Sequence, residues 1–156
     1  MRVGLISDTH GVFDDRVFEA FEGVSAIVHA GDIGGPDIMW KLEAIAPVHA
    51  VLGNCDYEVP GYALDGLARF AIAGVRFVLL HDLGCLGPIP DDVDVVVCGH
   101  SHAPRNEWHG GVLVVNPGSA SQRRRQPSRS VAILELGDGE PRFELVALDE
   151  IEPPAR

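Results

Sequence analysis

A chain of 156 residues with 46% hydrophobic and 22% charged side chains has the make-up of one globular domain, which excludes a disordered or fibrous protein. A net charge of −11 repels phosphate-rich polymers, so bulk nucleic-acid binding is not expected, although bound cations would reverse the sign locally. No apolar run approaches the roughly eighteen residues of a membrane helix, and nothing near Met1 has the layout of a signal peptide. The expectation is a soluble, cytoplasmic protein without a membrane partner. Three cysteines, Cys55, Cys85 and Cys98, contain no CxxC pair and support neither a disulfide framework nor a four-cysteine zinc site.

Residues 2–7 are short, apolar and closed by a polar turn, as a buried strand should be. Residues 14–22 carry Val17, Phe18 and Phe21 at helical spacing behind Asp14 and Asp15, which suit a helix start. Ala26–His29 reads as a second strand, ended by Ala-Gly-Asp. Pro36 then opens a helix with Ile38, Leu42 and Ile45 on one face. Residues 47–52 form a third strand, ended by Gly53-Asn54. This β-α-β-α-β alternation implies a largely parallel sheet with helices packed on it.

Beyond residue 65 the helical period fades. Residues 70–73 and 75–80 read as a hairpin around Gly74, and strands are expected at 93–98, 112–116, 130–136 and 142–148. Two sheets packed face to face are expected, with helices from the first half outside them. One domain over 1–150 and a short tail over 151–156 complete this organisation.

The polar residues fall at the strand ends. Strand one delivers Asp8 and His10, strand two Asp32, and strand three Asn54, Cys55 and Asp56. The strand ending near Leu80 delivers His81, and the one ending at Cys98 delivers His100 and His102. Carboxyl ends of parallel strands share one edge, where ligand sites form. Mixed Asp and His ligands suit Mn, Fe or Zn better than Mg or Ca, and one aspartate can bridge two ions.

On these residues the chain resembles the calcineurin-like metallophosphoesterase superfamily. The motif DxH…GD…GN[HC][DE]…H…GHxH stands here as Asp8-Thr9-His10, Gly31-Asp32, Gly53-Asn54-Cys55-Asp56, His81 and Gly99-His100-Ser101-His102. The resemblance is to the small bacterial and archaeal phosphodiesterases, including their Asn116-Pro117-Gly118-Ser119 element. It implies an α/β fold, a four-layer αββα sandwich of two mixed sheets flanked by helices. It also implies two divalent ions, with Mn2+ expected first and Fe, Ni or Zn also suited. Asp8, His10, Asp32 and His102 would hold one ion; Asp32, Asn54, His81 and His100 would hold the other. Catalytic roles fall to Asp32, His10, Asn54 and His100, with a metal-activated hydroxide attacking a phosphodiester of a small or nucleotide-like substrate. Cys55, Asp56, Ser119 and Arg123 are expected to line the pocket or support the ligands.

Three departures separate this chain from many relatives. Cys55 stands where monoesterase branches have histidine, Asp82 follows His81 where an HGH pattern is common, and Gln122 replaces a proline. A thiol with an ordinary pKa of about 8.5 is a poor proton donor to a leaving alkoxide, so esters with good leaving groups, or with leaving oxygens held by metal, are the expected substrates. A phosphomonoesterase or nucleotide pyrophosphatase is the alternative enzyme, and a non-catalytic protein-binding scaffold of the same fold is the alternative class. Homo-oligomerisation is left open. His29, His49 and His109 are read as structural or ordinary, Cys85 and Cys98 as buried apolar residues, and Arg123–Arg125 as a solvated loop from which one arginine could reach phosphate.

Overall fold

The computed structural model describes residues 1–155. Its elements in chain order are β1 (Arg2–Ile6), α1 (Arg16–Ala20), β2 (Ala26–His29), α2 (Pro36–Glu43), β3 (Val48–Ala50), β4 (Leu67–Ile72), β5 (Val75–Leu80), β6 (Val95–Val97), β7 (Arg105–His109), β8 (Val112–Asn116), β9 (Ser130–Glu135) and β10 (Arg142–Ala147). The strands form two five-stranded mixed sheets, ordered β10-β9-β1-β2-β3 and β4-β5-β6-β8-β7. The first is parallel through β1, β2 and β3, with β9 and β10 antiparallel. In the second, β5, β6 and β8 run parallel between the antiparallel edges β4 and β7.

Alternation along the strands builds the layers. Val3 and Leu5 of β1 face the second sheet, meeting a core that includes Phe77, Leu79, Val97 and Val115. Ile6 faces the other way, into a cluster with Val17 and Phe21 of the α1 region and Ile38 and Leu42 of α2. With both faces covered, β1 reads as a continuous apolar run. Gly4 is part of this fit, since a Cβ there would lie 2.9 Å from the Phe21 ring. Each large side chain removed from water in these clusters contributes about 1.5–3 kcal/mol.

The helices pack on the first sheet, as expected. The outer face of the second is covered differently: Val78, Leu80, Val96 and Val114 lie under Leu83, Leu86, Ile89 and Val93, on a segment whose one regular piece is a 3-10 turn at Leu83–Cys85. Gly84, Gly87, Pro88 and Pro90 explain why no α-helix forms there. Cys85 on this segment is exposed, which corrects its assignment to the core, whereas Cys98 is buried.

Strand β7 was not anticipated. Every residue of it is exposed, so it lacks the apolar alternation that marks a half-buried strand, and its pairing with β8 alone creates it. Strand β4 begins three residues before the expected position, and α1 covers only the middle of the expected 14–22 helix. No helix among the described residues is long and apolar enough to cross a membrane.

Candidate metal centre

The loops following β1, β2, β3, β5 and β6 converge on one rim. Backbone bonds lock the first two together, with Asp8 N–H donating to the Gly31 carbonyl at 3.0 Å and His10 N–H to the Asp32 carbonyl at 2.9 Å. Five of the predicted ligands, Asp8, His10, Asp32, His100 and His102, have φ between 48° and 70°. Non-glycine residues in that left-handed region cost of order 1 kcal/mol or more, and such strain gathers at functional sites. Glycines let the loops interleave: a Cβ on Gly99 would collide with Ser7 Oγ and stand 2.8 Å from Asp8 Oδ2, and one on Gly53 would collide with Asp32 Oδ1.

Asp8 is fully buried, and its two oxygens have unlike surroundings. Oδ2 accepts from Ser7 Oγ at 2.6 Å and from the His100 backbone N–H at 3.1 Å. Oδ1 has no hydrogen-bond donor at all. It faces three imidazole nitrogens instead: His102 Nε2 at 3.1 Å, His10 Nε2 at 3.7 Å and His81 Nε2 at 3.8 Å. A buried carboxylate oxygen left without a donor costs about 1–3 kcal/mol or more. Ligand atoms sharing one ion at about 2.0–2.2 Å stand about 3–3.5 Å apart, so this oxygen and these nitrogens fit a divalent cation. The same inference applies to His10 Nε2 and His102 Nε2, 3.4 Å apart.

Two of the imidazoles have their tautomer set by the backbone. His81 Nδ1 donates to the Ala30 carbonyl at 2.7 Å, and His102 Nδ1 to the Gln122 carbonyl at 3.1 Å. Both Nε2 lone pairs are thereby turned inward, an arrangement typical of ligating histidines. Burial lowers the His102 pKa, which favours the neutral, ligating form. Asp32 is buried between the two halves of the site. Its Oδ2 lies 3.2 Å from His81 Nε2 and 3.8 Å from His10 Nε2, while Oδ1 accepts from the Cys55 N–H at 2.8 Å. Toward the exposed side, His100 Nδ1 lies 3.1 Å from Asn54 Oδ1 and 3.3 Å from His81 Nε2. All seven predicted ligands thus come together, in two overlapping groups. One contains Asp8, His10 and His102; the other contains Asp32, His81, Asn54 and His100, with Asp32 also reaching toward His10.

The supporting residues sort themselves by geometry. Asp56 accepts three backbone N–H groups, from Ile33 and Gly53 at 3.0 Å and Gly34 at 3.1 Å, and so clasps the loop of Asp32 to the loop of Asn54. Ser119 is buried and donates to the Asp8 carbonyl at 2.9 Å, a bond that Ser121 repeats at 2.7 Å; it braces the β1 loop from behind. The Asn116 side chain donates to the Gly99 carbonyl at 3.0 Å, tying the same element to the loop of His100. Cys55 is exposed, with its thiol pKa raised mainly by the charge of Asp32. Arg123 is turned back on its own loop and donates to the Gln126 carbonyl at 3.1 Å. Its neighbour Arg124 is the arginine whose charge acts on His102. Asp82, the departure after His81, places Oδ2 3.9 Å from His100 Nε2.

His29 lies behind the candidate ligands. Gly31 N–H donates to its Nδ1 at 3.1 Å, so the ring proton is on Nε2 and goes to Thr9 Oγ1 at 3.0 Å; Thr9 donates onward to the Ile33 carbonyl at 2.7 Å. This chain fixes Thr9 between Asp8 and His10. Ser7, Ser121 and the His29–Thr9 link carry no signature in the sequence, because their partners are backbone groups or distant in the chain. Burial lowers the His29 pKa to about 3. Between about pH 6.5 and 3 the unfolded chain then holds a proton here that the folded chain does not, so stability is full above pH 6.5 and falls on acidification. Urea unfolding of metal-free protein is expected to show about 2 kcal/mol less stability at pH 5 than at pH 7 from this ring, a component that His29→Gln should remove.

Comparison with known proteins bears on this geometry. The calcineurin-like phosphoesterase superfamily domain matches residues 1–139. A probable metallophosphoesterase of Methanothermobacter thermautotrophicus is 36% identical over 155 residues, covering 90% of this chain and 88% of that protein. Escherichia coli phosphodiesterase YfcE is 32% identical over 148 residues, covering 78% and 80%. A solved structure of E. coli YfcE superposes with a TM-score of 0.78 at 27% identity, over 99% of this chain and 97% of that one. Vps29 of Entamoeba histolytica, solved with zinc, superposes with a TM-score of 0.72 at 25% identity, over 95% and 99%. With the family's domain spanning nearly the whole chain and an Asp/His centre at its strand ends, this protein belongs to the calcineurin-like phosphoesterase superfamily.

Proposed function

We propose that the chain is a metal-dependent phosphodiesterase that works with two divalent ions, Mn2+ foremost, on a small or nucleotide-like phosphodiester. The observation that carries this reading is the fully buried Asp8 oxygen with no donor, ringed by three imidazole nitrogens. Such a group is costly unless a cation completes it. Bound ions would supply charge to polarise the phosphoryl group and a water acidic enough to attack it near neutral pH.

The residues of the chain do the rest. Asp8, His10 and His102 make one half of the cradle, and Asn54, His81 and His100 the other. Asp32 stands between them and reads as the shared ligand. The buried backs of His81 and His102 hold their rings still, so little reorganisation is left for the reaction. His100 and Asn54 are the exposed members and are in place to meet the ester. Cys55 beside them offers a thiol whose pKa is raised, which suits it poorly to proton transfer and favours diesters over monoesters.

The test is hydrolysis of a chromogenic phosphodiester and its matching monoester by chelator-treated protein, with and without Mn2+. Restored diester hydrolysis with slow monoester turnover supports the proposal. Replacing Cys55 by histidine should raise monoester turnover relative to diester turnover, and an unchanged ratio would remove the role given to Cys55. The competing reading is a non-catalytic protein-binding scaffold of the same fold. Metal uptake without turnover under any divalent ion would select it.

A further inference from the structure

The sulfur of Cys55 belongs to a third group of ligand atoms. Cys55 Sγ, a His10 ring nitrogen and an Asp32 carboxylate oxygen all lie within 4.8 Å of one another. Two of those residues already serve the oxygen- and nitrogen-rich centre; the third adds a soft donor. Asn54 Nδ2 approaches the sulfur at 3.6 Å, holding it on the side of the centre. The buried, donorless Asp8 Oδ1 lies 3.7 Å from His10 Nε2, which independently marks His10 as facing a cation.

We propose that Cys55, His10 and Asp32 form an alternative site for a soft divalent ion, zinc or cadmium, which competes with the Mn2+ of the main centre. The chemistry discriminates between the metals. Thiolate is a preferred ligand for zinc and its heavier relative, while carboxylate and water suit manganese. Zinc takes sulfur at about 2.3 Å and imidazole at about 2.0–2.1 Å in a tetrahedron, so its ligand atoms stand about 3.5 Å apart. Cys55 is exposed, so its side chain is free of the packing that fixes the buried ligands. Binding breaks the S–H bond and forms a metal–sulfur bond. One proton passes to the buffer for each ion taken up, and no electrons are transferred. Because His10 and Asp32 cannot serve both sites fully, an ion captured by Cys55 draws them away from Asp8, His102 and His81. Excess zinc would then idle the enzyme rather than activate it.

This inference rests on the reading of Asp8, His10 and Asp32 as a metal centre, and its test reads the sulfur directly. Metal-stripped protein is titrated with Cd2+ while the ultraviolet thiolate-to-cadmium charge-transfer band is followed. The wild type should develop the band with one equivalent of Cd2+. Cys55→Ser should lack it and bind Cd2+ about tenfold or more weakly. Adding Mn2+ should shift the wild-type titration to higher Cd2+. Absence of the band in wild type, or its persistence in Cys55→Ser, would overturn the proposal, and a titration indifferent to Mn2+ would show that the ligands are not shared. Mn2+-supported diester hydrolysis is measured on the same wild-type preparation, so a missing band beside intact turnover counts against the Cys55 site alone.

Discussion

Asp32→Asn is expected to lower metal-dependent turnover by about a thousandfold or more, equivalent to about 4 kcal/mol of barrier. Asp32 Oδ2 stands between His81 Nε2 at 3.2 Å and His10 Nε2 at 3.8 Å, so it reaches both halves of the cradle. The amide keeps the shape and can preserve the bond that Oδ1 accepts from the Cys55 N–H. It removes the charge, and it can place two hydrogens where cations should sit. Folding should survive while the second ion is lost or loosely held. Circular dichroism, metal content per chain and diester turnover together check this outcome. Near-normal turnover with two bound ions would contradict the shared role of Asp32.

Asp8→Asn should have opposite effects on stability and on function. In the metal-free protein, Asp8 Oδ1 is buried with no donor. An amide nitrogen in its place could donate to His102 Nε2, whose lone pair faces inward because Nδ1 is spent on the Gln122 carbonyl. The oxygen would still accept from Ser7 and the His100 N–H. Metal-free Asp8→Asn protein should therefore be more stable than metal-free wild type by about 1 kcal/mol, a rise in Tm of about 2–4 °C. Added Mn2+ should raise the Tm of wild type and leave the variant nearly unmoved, since stabilisation follows from binding to the folded state. Turnover should fall about as far as for Asp32→Asn. A variant less stable than wild type without metal would show that Asp8 holds the fold together and would weaken the reading of its oxygen as a ligand.

The candidate ligands stand out in the sequence because each lies within five residues after a strand, and the strands were readable from their apolar runs. Asp8, Asp32, Asn54, His81, His100 and His102 are each a polar break after such a run. What fixes their orientation was not readable. The Ala30 and Gln122 carbonyls that set the tautomers of His81 and His102 are backbone atoms without a side-chain signature. Arg123 was singled out from its charged run, but it donates to the Gln126 carbonyl of its own loop, and the charge of its neighbour Arg124 is the one that acts on His102. In the fold, β7 escaped notice because an exposed edge strand has no buried face to pattern. The covering of the second sheet was legible only as a negative, in glycines and prolines that forbid a helix. Cys85, apolar by composition, is exposed on that segment beside Asp82.

The clasp made by Asp56 has a mechanical consequence. By taking N–H groups from Ile33, Gly34 and Gly53, one carboxylate welds two turns that would otherwise flex independently. Asp32 and Asn54 are therefore braced on one frame, so a strain placed on either turn is borne by both.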